Sequence, residues 1–263
     1  TLQKPVWITG HTTVVECPDI FRIGNKWMLM YFWHESRLRT ADSLSGPWIR
    51  PKVQAPDGFD FFAGKTMGDE NHRIAIAWIP RRDCDCAART WGGEMLIPRD
   101  LYLLADGTPA TRIPDTVRTY LAGNGCDRQF SVCFGNWQIE QDNMTAIPEQ
   151  DGSALVCIAD APDNYYLSFD VELDDPASLN ILIRGEEAPA SFWPDKTPLD
   201  KGFLLNVDPV DGCIGLYKSY MWNQRNAIAM MPYKEMKQNI CIELVVDGNI
   251  LEVFVDKQRS MVS

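Results

Sequence analysis

The stretch Val15-Glu16-Cys17-Pro18-Asp19-Ile20-Phe21 sets a carboxylate and a thiol beside a proline. Glu16 ends a short β-branched run, residues 12–15, and Pro18 fixes the backbone just beyond it. Such a placement aims a carboxyl group into a cleft, where it can give and take a proton. Without further context, Glu16 reads as one of the many glutamates that end a strand in water. Other reactive groups lead less far. Cys84 and Cys86 form a C-x-C beside Asp83 and Asp85, but a zinc site needs a second ligand pair. His11, His34 and His72 are scattered along the chain, so no metal is expected. Asp208-Pro209 and Asp211-Gly212 carry turn chemistry rather than substrate chemistry. The nine Trp and eight Tyr offer faces that stack on sugar C–H groups, although most read as core aromatics.

The elements that must position these groups read as β almost throughout. Residues 20–23 and 26–32 flank Gly24-Asn25, a two-residue hairpin signal. Residues 73–79 alternate and follow a turn at 68–71, and short runs at 95–97, 101–104 and 108–113 surround Ala105-Asp106-Gly107. The sequence predicts one brief helix, at 115–121 after Pro114. Ala122-Gly123-Asn124-Gly125 then breaks the pattern and marks a boundary between a domain at 1–122 and another at 123–263. Alternating runs follow at 155–159, 165–173, 179–184, 203–207, 214–217, 240–246 and 250–255, the last two joined by Asp247-Gly248-Asn249. Short strands with frequent turns predict an all-β fold, and the second half reads as an antiparallel β-sandwich.

Composition narrows the partners. Hydrophobic residues make up 45% and charged residues 23% of the 263, the balance of a globular protein. A net charge of −11 repels phosphate backbones and anionic lipid headgroups, so neither nucleic acid nor membrane is an expected partner. A neutral sugar meets no such repulsion. The eight cysteines show no disulfide framework in their spacing. Nothing in the sequence decides between a cytoplasmic and an extracellular or periplasmic address.

Glu16-Cys17-Pro18-Asp19-Ile20-Phe21, followed by a hairpin rich in Trp and Met, resembles glycoside hydrolase family 32, which includes invertases, levanases, inulinases and fructan exohydrolases. The likeness continues in order. Gly58-Phe59-Asp60-Phe61-Phe62-Ala63 is similar to the family's Asp-Phe-Tyr-Ala segment, and residues 73–80 to its strand ending in a pocket tryptophan, here Trp78. Trp91-Gly92-Gly93-Glu94-Met95-Leu96-Ile97-Pro98-Arg99-Asp100-Leu101 resembles its Trp-x-Gly…Leu-Pro-Arg-Glu-Leu signature. The match runs over residues 16–114, and Leu251-Glu252-Val253-Phe254-Val255-Asp256 resembles a late strand of the family's C-terminal sandwich.

The resemblance implies a five-bladed β-propeller followed by a β-sandwich, and a retaining glycosidase acting on β-fructosides. Two carboxyl groups about 5–5.5 Å apart would flank the scissile bond, with no cofactor. An aspartate would form a covalent fructosyl-enzyme, and a glutamic acid would protonate the leaving oxygen and then activate water. Glu16 matches that acid/base, and partial burial beside the nucleophile would raise its pKa. Cys17 would line the fructose pocket, Asp60 would accept hydrogen bonds from sugar hydroxyls, and Trp78 and Trp91 would supply stacking walls. Phe62 stands where the family usually has tyrosine, which removes one hydroxyl from this region.

The family's Trp-Met-Asn-Asp-Pro-Asn-Gly motif, which carries the nucleophile, and its Arg-Asp-Pro motif do not occur in these 263 residues. Five blades need about 200–225 residues. The expectation is therefore a partial propeller, its last two to three blades, with the missing blades supplied by the same gene product or another chain. The sandwich would also be expected to continue past Val262. Residues 1–122 alone are then expected to be unstable, because an opened propeller exposes strand edges. Two other functions fit: a propeller–sandwich protein that binds glycan without hydrolysing it, and a related five-bladed enzyme acting on arabinose- or galactose-type sugars. Ser43-Leu44-Ser45-Gly46-Pro47-Trp48 suits the latter, although as an inter-strand turn it is neutral between them.

Overall fold

The computed structural model describes residues 4–10, 14–58, 60–80, 93–123, 125, 128–140, 143–147, 154–158, 161–173, 178–185, 202–218, 227–232, 239–248 and 250–262. Its elements are β1 (Glu16–Ile23), β2 (Lys26–Trp33), β3 (Glu35–Ala41), β4 (Phe62–Gly68), β5 (Arg73–Ile79), β6 (Glu94–Met95), β7 (Arg99–Leu103), β8 (Pro109–Arg112) and α1 (Asp115–Ala122). There follow β9 (Phe130–Phe134), β10 (Asn136–Ile139), β11 (Met144–Ile147), β12 (Leu155–Ile158), β13 (Tyr165–Glu172), β14 (Leu179–Ile183) and β15 (Phe203–Asp208). The last are β16 (Cys213–Lys218), β17 (Ala227–Pro232), β18 (Asn239–Asp247), β19 (Ile250–Val255) and β20 (Arg259–Val262). Among the described residues the fold is all-β apart from α1, and no sheet closes on itself.

The chain forms two compact units. The first takes in Thr1–Ala122, Tyr166–Glu172 and Lys237–Ser263; the second takes in Gly123–Tyr165 and Leu173–Met236. The first unit is therefore discontinuous and draws on strands more than a hundred residues downstream.

Three sheets build the first unit: β1-β2-β3; β4-β5-β7-β8 with β6 added on β5; and β13-β18-β19-β20. Gly24-Asn25 makes the tight turn between β1 and β2, Gly24 taking φ 57°, a backbone region where a side chain is disfavoured. Strand β2 buries Met28, Leu29, Met30 and Tyr31 in succession, so both of its faces are covered. On β3 the buried Ser36, Leu38 and Thr40 alternate with half-buried Glu35, Arg37 and Arg39. Phe21, Met28, Met30 and Leu38 form one core with Phe61, Ala75, Ala77, Leu96, Leu101 and, from β20, Val262. Each large apolar side chain buried there contributes about 1.5–3 kcal/mol.

Helix α1 starts after Pro114, a residue suited to a helix entry, and ends at Gly123 with φ 50°. Its Val117 and Leu121 pack against Ile113, Val245 and Phe254. Arg118 ties it down by donating to buried Glu243 through Nε at 2.7 Å. Tyr166 donates its hydroxyl to the same carboxylate at 2.6 Å.

The second unit holds β9 paired with β12, the hairpin β10-β11, and the sheet β14-β15-β16-β17. Ile183, Leu204, Leu205, Val207, Ile214 and Leu216 are its buried apolar residues.

Most of the expected runs are strands, and β5, β19 and the helix agree to within a residue. The run at 12–15 is different: Val14 and Val15 are irregular, Thr12 and Thr13 lie outside the described residues, and Glu16 opens β1. Pairing with β2, rather than β-branching upstream, decides where the strand lies. Strand β3 went unexpected because its inward positions include Ser36 and Thr40, which give a weak apolar alternation. Ser43-Leu44-Ser45-Gly46-Pro47-Trp48 is a turn: Gly46 N donates to Ser43 O at 2.9 Å, and Thr40 and Ile49 bridge beyond it.

Candidate active site

Glu16 sits opposite Phe32 and Asp19 opposite Met30, so β1 spends three steps where β2 spends two. This is a β-bulge, a device that re-aims side chains and recurs beside active sites. Within it Cys17 takes φ 51°, a left-handed conformation that costs a residue with a Cβ about 1–2 kcal/mol. A second bulge of the same form lies in β4, where Phe62 pairs with Trp78 and Lys65 with Ile76, and Ala63 takes φ 52°.

The two bulges are stitched together. Lys65 Nζ donates to Pro18 O at 2.7 Å, and both Thr66 N and Thr66 Oγ1 donate to Asp19 Oδ2 at 2.8 Å. Ser36 Oγ on β3 donates to Phe61 O at 2.7 Å and accepts from Gly64 N at 3.3 Å. Asp19 of the Glu-Cys-Pro-Asp motif thus fixes β1 against β4.

An aromatic run crosses the same end of the two sheets. Phe62 lies 4.2 Å from Phe32, the cross-strand partner of Glu16, and 4.9 Å edge-on from Trp78. Gly93 backs Trp78 so closely that a Cβ there would meet the indole at 2.4 Å, and its φ of 99° also demands glycine. Phe62, the departure from tyrosine, is therefore a packing piece between two rings.

Asp60 is half-buried in the turn before β4, and its carbonyl accepts from Phe62 N at 2.9 Å. Glu16, Cys17, Asp60, Phe62 and Trp78 are carried by adjoining segments of one unit. Trp91, with Cys84 and Cys86, lies outside the described residues. Glu16 is exposed, so the partial burial expected for it is not found. Among the described residues no group of three or more His, Cys, Asp and Glu could hold a metal ion.

Beneath Asp60 lies a buried charge network that the sequence reading missed. Arg99, fully buried, donates through Nε to Asp57 Oδ2 at 3.0 Å and forms an ion pair with Glu252. Ser260 donates to Asp57 as well, and Ile97 N donates to Glu252 Oε1 at 3.1 Å. The guanidinium also lies 4.7 Å from the Phe254 ring and 5.4 Å from Phe61. Burial opposes the Arg99 charge, but Asp57 and Glu252 outweigh it and hold its pKa above the ordinary value. Burial pushes the Glu252 carboxyl up, and Arg99 draws it partly back. Ser260 N also donates to Pro56 O at 3.2 Å. The loop that leads to Asp60 is thus clamped from below by β7 and β20. The available signal was a lone arginine in the apolar run Leu96-Ile97-Pro98-Arg99, together with the acidic residue in Leu251-Glu252-Val253.

No family model matches the chain. It is 29% identical to raffinose invertase of Escherichia coli over 112 residues, covering 35% of this chain and 24% of that one. It is 27% identical to sucrose-6-phosphate hydrolase of Vibrio alginolyticus over 122 residues, covering 38% and 25% respectively. The structure of sucrose-6-phosphate hydrolase from Lactobacillus gasseri superposes with a TM-score of 0.63 at 13% identity, over 94% of this chain and 49% of that one. The family 32 β-fructofuranosidase of Bombyx mori gives 0.58 at 15% identity, over 95% and 48%. The chain is thus similar to glycoside hydrolase family 32, in sequence over part of its length and in fold over nearly all of it. It spans about half the length of these solved structures and about a quarter of the curated relatives.

Proposed function

We propose that the protein is a glycoside hydrolase acting on β-fructosides of the sucrose, inulin or levan type, by a retaining mechanism with two carboxyl groups. Glu16 is its acid/base. Cys17, Asp60, Phe62, Trp78 and Trp91 line the sugar site. The nucleophile and the transition-state stabiliser belong to blades outside these 263 residues, from the same gene product or another chain. On this proposal residues 1–122 are the last two to three blades of a five-bladed propeller, and residues 123–263 belong to the sandwich.

The twin bulges support this reading best. They hold Glu16 beside Phe32 at the end where Phe62 and Trp78 meet, giving a proton donor next to an aromatic wall. Exposure of Glu16 fits a group that is covered only when the remaining blades and a substrate are present. The test is reducing-sugar release from sucrose, inulin and levan by the protein with its full complement of blades. Glu16→Gln keeps the shape and loses the proton. Turnover should fall by about 10²–10⁴-fold, most for poor leaving groups. An unchanged rate removes Glu16 from the mechanism.

A second reading is glycan binding without hydrolysis, which intact blades lacking both aspartates would favour. Calorimetric binding of the same sugars with no product release would select it.

A further inference from the structure

Cys133 on β9 and Cys157 on β12 face each other across the antiparallel pair, their sulfurs 2.8 Å apart. The register explains the meeting. Leu155 pairs with Phe134 and Val156 with Val132, so Cys133 is the extra residue of a bulge and has no cross-strand partner of its own. Cys157 pairs with Ser131, one residue on, and the two thiols converge diagonally. Cys133 is exposed and Cys157 half-buried. A disulfide needs about 2.05 Å between sulfurs, so closure asks for a movement of under about 1 Å.

We propose that Cys133 and Cys157 are a dithiol–disulfide site, oxidised by low-molecular-weight disulfides such as glutathione disulfide. In the first step the Cys133 sulfur, as thiolate, attacks one sulfur of the oxidant. The oxidant's S–S bond breaks, one free thiolate leaves, and Cys133 carries a mixed disulfide. In the second step Cys157 gives up its proton to solvent and its sulfur attacks that of Cys133, expelling the second thiolate. Two protein thiols are oxidised by two electrons, and one disulfide is reduced to two thiols.

The order follows from exposure. Cys133 is the more exposed and meets the oxidant first, while burial, and then the hydrogen bond with Cys133, push the Cys157 thiol up to about 11. The bond would enclose the β10-β11 hairpin, which lies between the two cysteines in sequence. Both β9-β12 and β10-β11 are two-stranded sheets, a form of marginal stability by itself. Oxidation would therefore add a covalent tie between β9 and β12, one of these two-stranded sheets. Spacing along the chain showed no disulfide framework, because only the bulge brings this pair together.

The test is incubation of the purified protein with glutathione disulfide, then alkylation, digestion and mass spectrometry. The expected product is one cross-link joining the Cys133 and Cys157 peptides, two hydrogens lighter than their sum and split by dithiothreitol. Cys17, Cys213 and Cys241 should remain alkylatable. Cys157→Ser should arrest at a glutathionyl adduct on Cys133. Proteolysis within β10 and β11 should slow by roughly tenfold or more on oxidation of the wild type, a readout needing no variant. A wild-type protein that retains the glutathionyl adduct beside a free Cys157, reacts at neither, or scrambles with other cysteines overturns the proposal.

Discussion

Replacing Arg99 with methionine withdraws a cation from a site closed to water. The Arg99 side chain is 0% exposed, and those of Asp57 and Glu252 are each 3% exposed. With Arg99 present, two carboxylates share one guanidinium. Without it Asp57 keeps the Ser260 hydroxyl and the Gly58 N–H, and Glu252 keeps the Ile97 N–H. Removing one partner of a buried ion pair costs about 3–5 kcal/mol. Methionine refills most of the stem volume, so little of this loss comes from a cavity. A domain holds only about 5–15 kcal/mol in total, so Arg99→Met should shift the urea midpoint of the first unit substantially. The loss should depend on pH. Burial already raises Glu252, and removing Arg99 takes away the main opposing charge, so its folded-state pKa climbs further. A carboxyl raised in this way contributes stability that is complete below its unfolded value, about 4.3, and lost as pH rises through the folded value. The defect should thus be greatest near neutral pH and shrink towards pH 4–5. Arg99→Met combined with Glu252→Gln should recover part of it at neutral pH. Urea titrations of the three proteins at pH 5 and pH 8 decide the matter. A loss below about 1 kcal/mol, or one that does not diminish in acid, refutes the idea of a paired charge network under the Asp60 loop.

Gly93→Ala drives a methyl group into the Trp78 indole and forces a side chain onto φ 99°, so it should cost about 1–3 kcal/mol in thermal unfolding and alter the near-ultraviolet circular dichroism. Arg118→Met should cost less than Arg99→Met, about 2–3 kcal/mol by urea denaturation, because Arg118 is partly exposed and Tyr166 still donates to Glu243. Burial and Glu243 push the Tyr166 hydroxyl up to about 12, above its ordinary 10.0. That raised value should make the wild type lose stability as pH climbs from 10 towards 12, which alkaline denaturation with absorbance at the phenolate band will follow.

Local signals were legible and distant ones were not. Gly24-Asn25 announced its hairpin and residues 73–79 their strand, because turn chemistry and alternation are written within a few residues. The left-handed backbone of Cys17 was not expected, because a residue before proline favours an extended one. The exposure of Glu16 matches a strand-end glutamate in water and not the burial that the resemblance implied. Arg99 finds its partners 42 residues back and 153 residues ahead, at Asp57 and Glu252. No window of sequence reveals such a meeting. Cys133 and Cys157 were hidden for another reason: a bulge changes the parity by which strand faces are counted.

Strand β20 places Val262 in the core of Phe21, Met28 and Leu38, and Ser260 against Asp57. A nascent chain therefore cannot complete its first unit while those late residues are still inside the ribosome. The earliest β strands must wait, with apolar surface uncovered, through the synthesis of nearly everything described here. Contacts of such sequence separation form slowly, and apolar surface left uncovered in the interval is prone to aggregate.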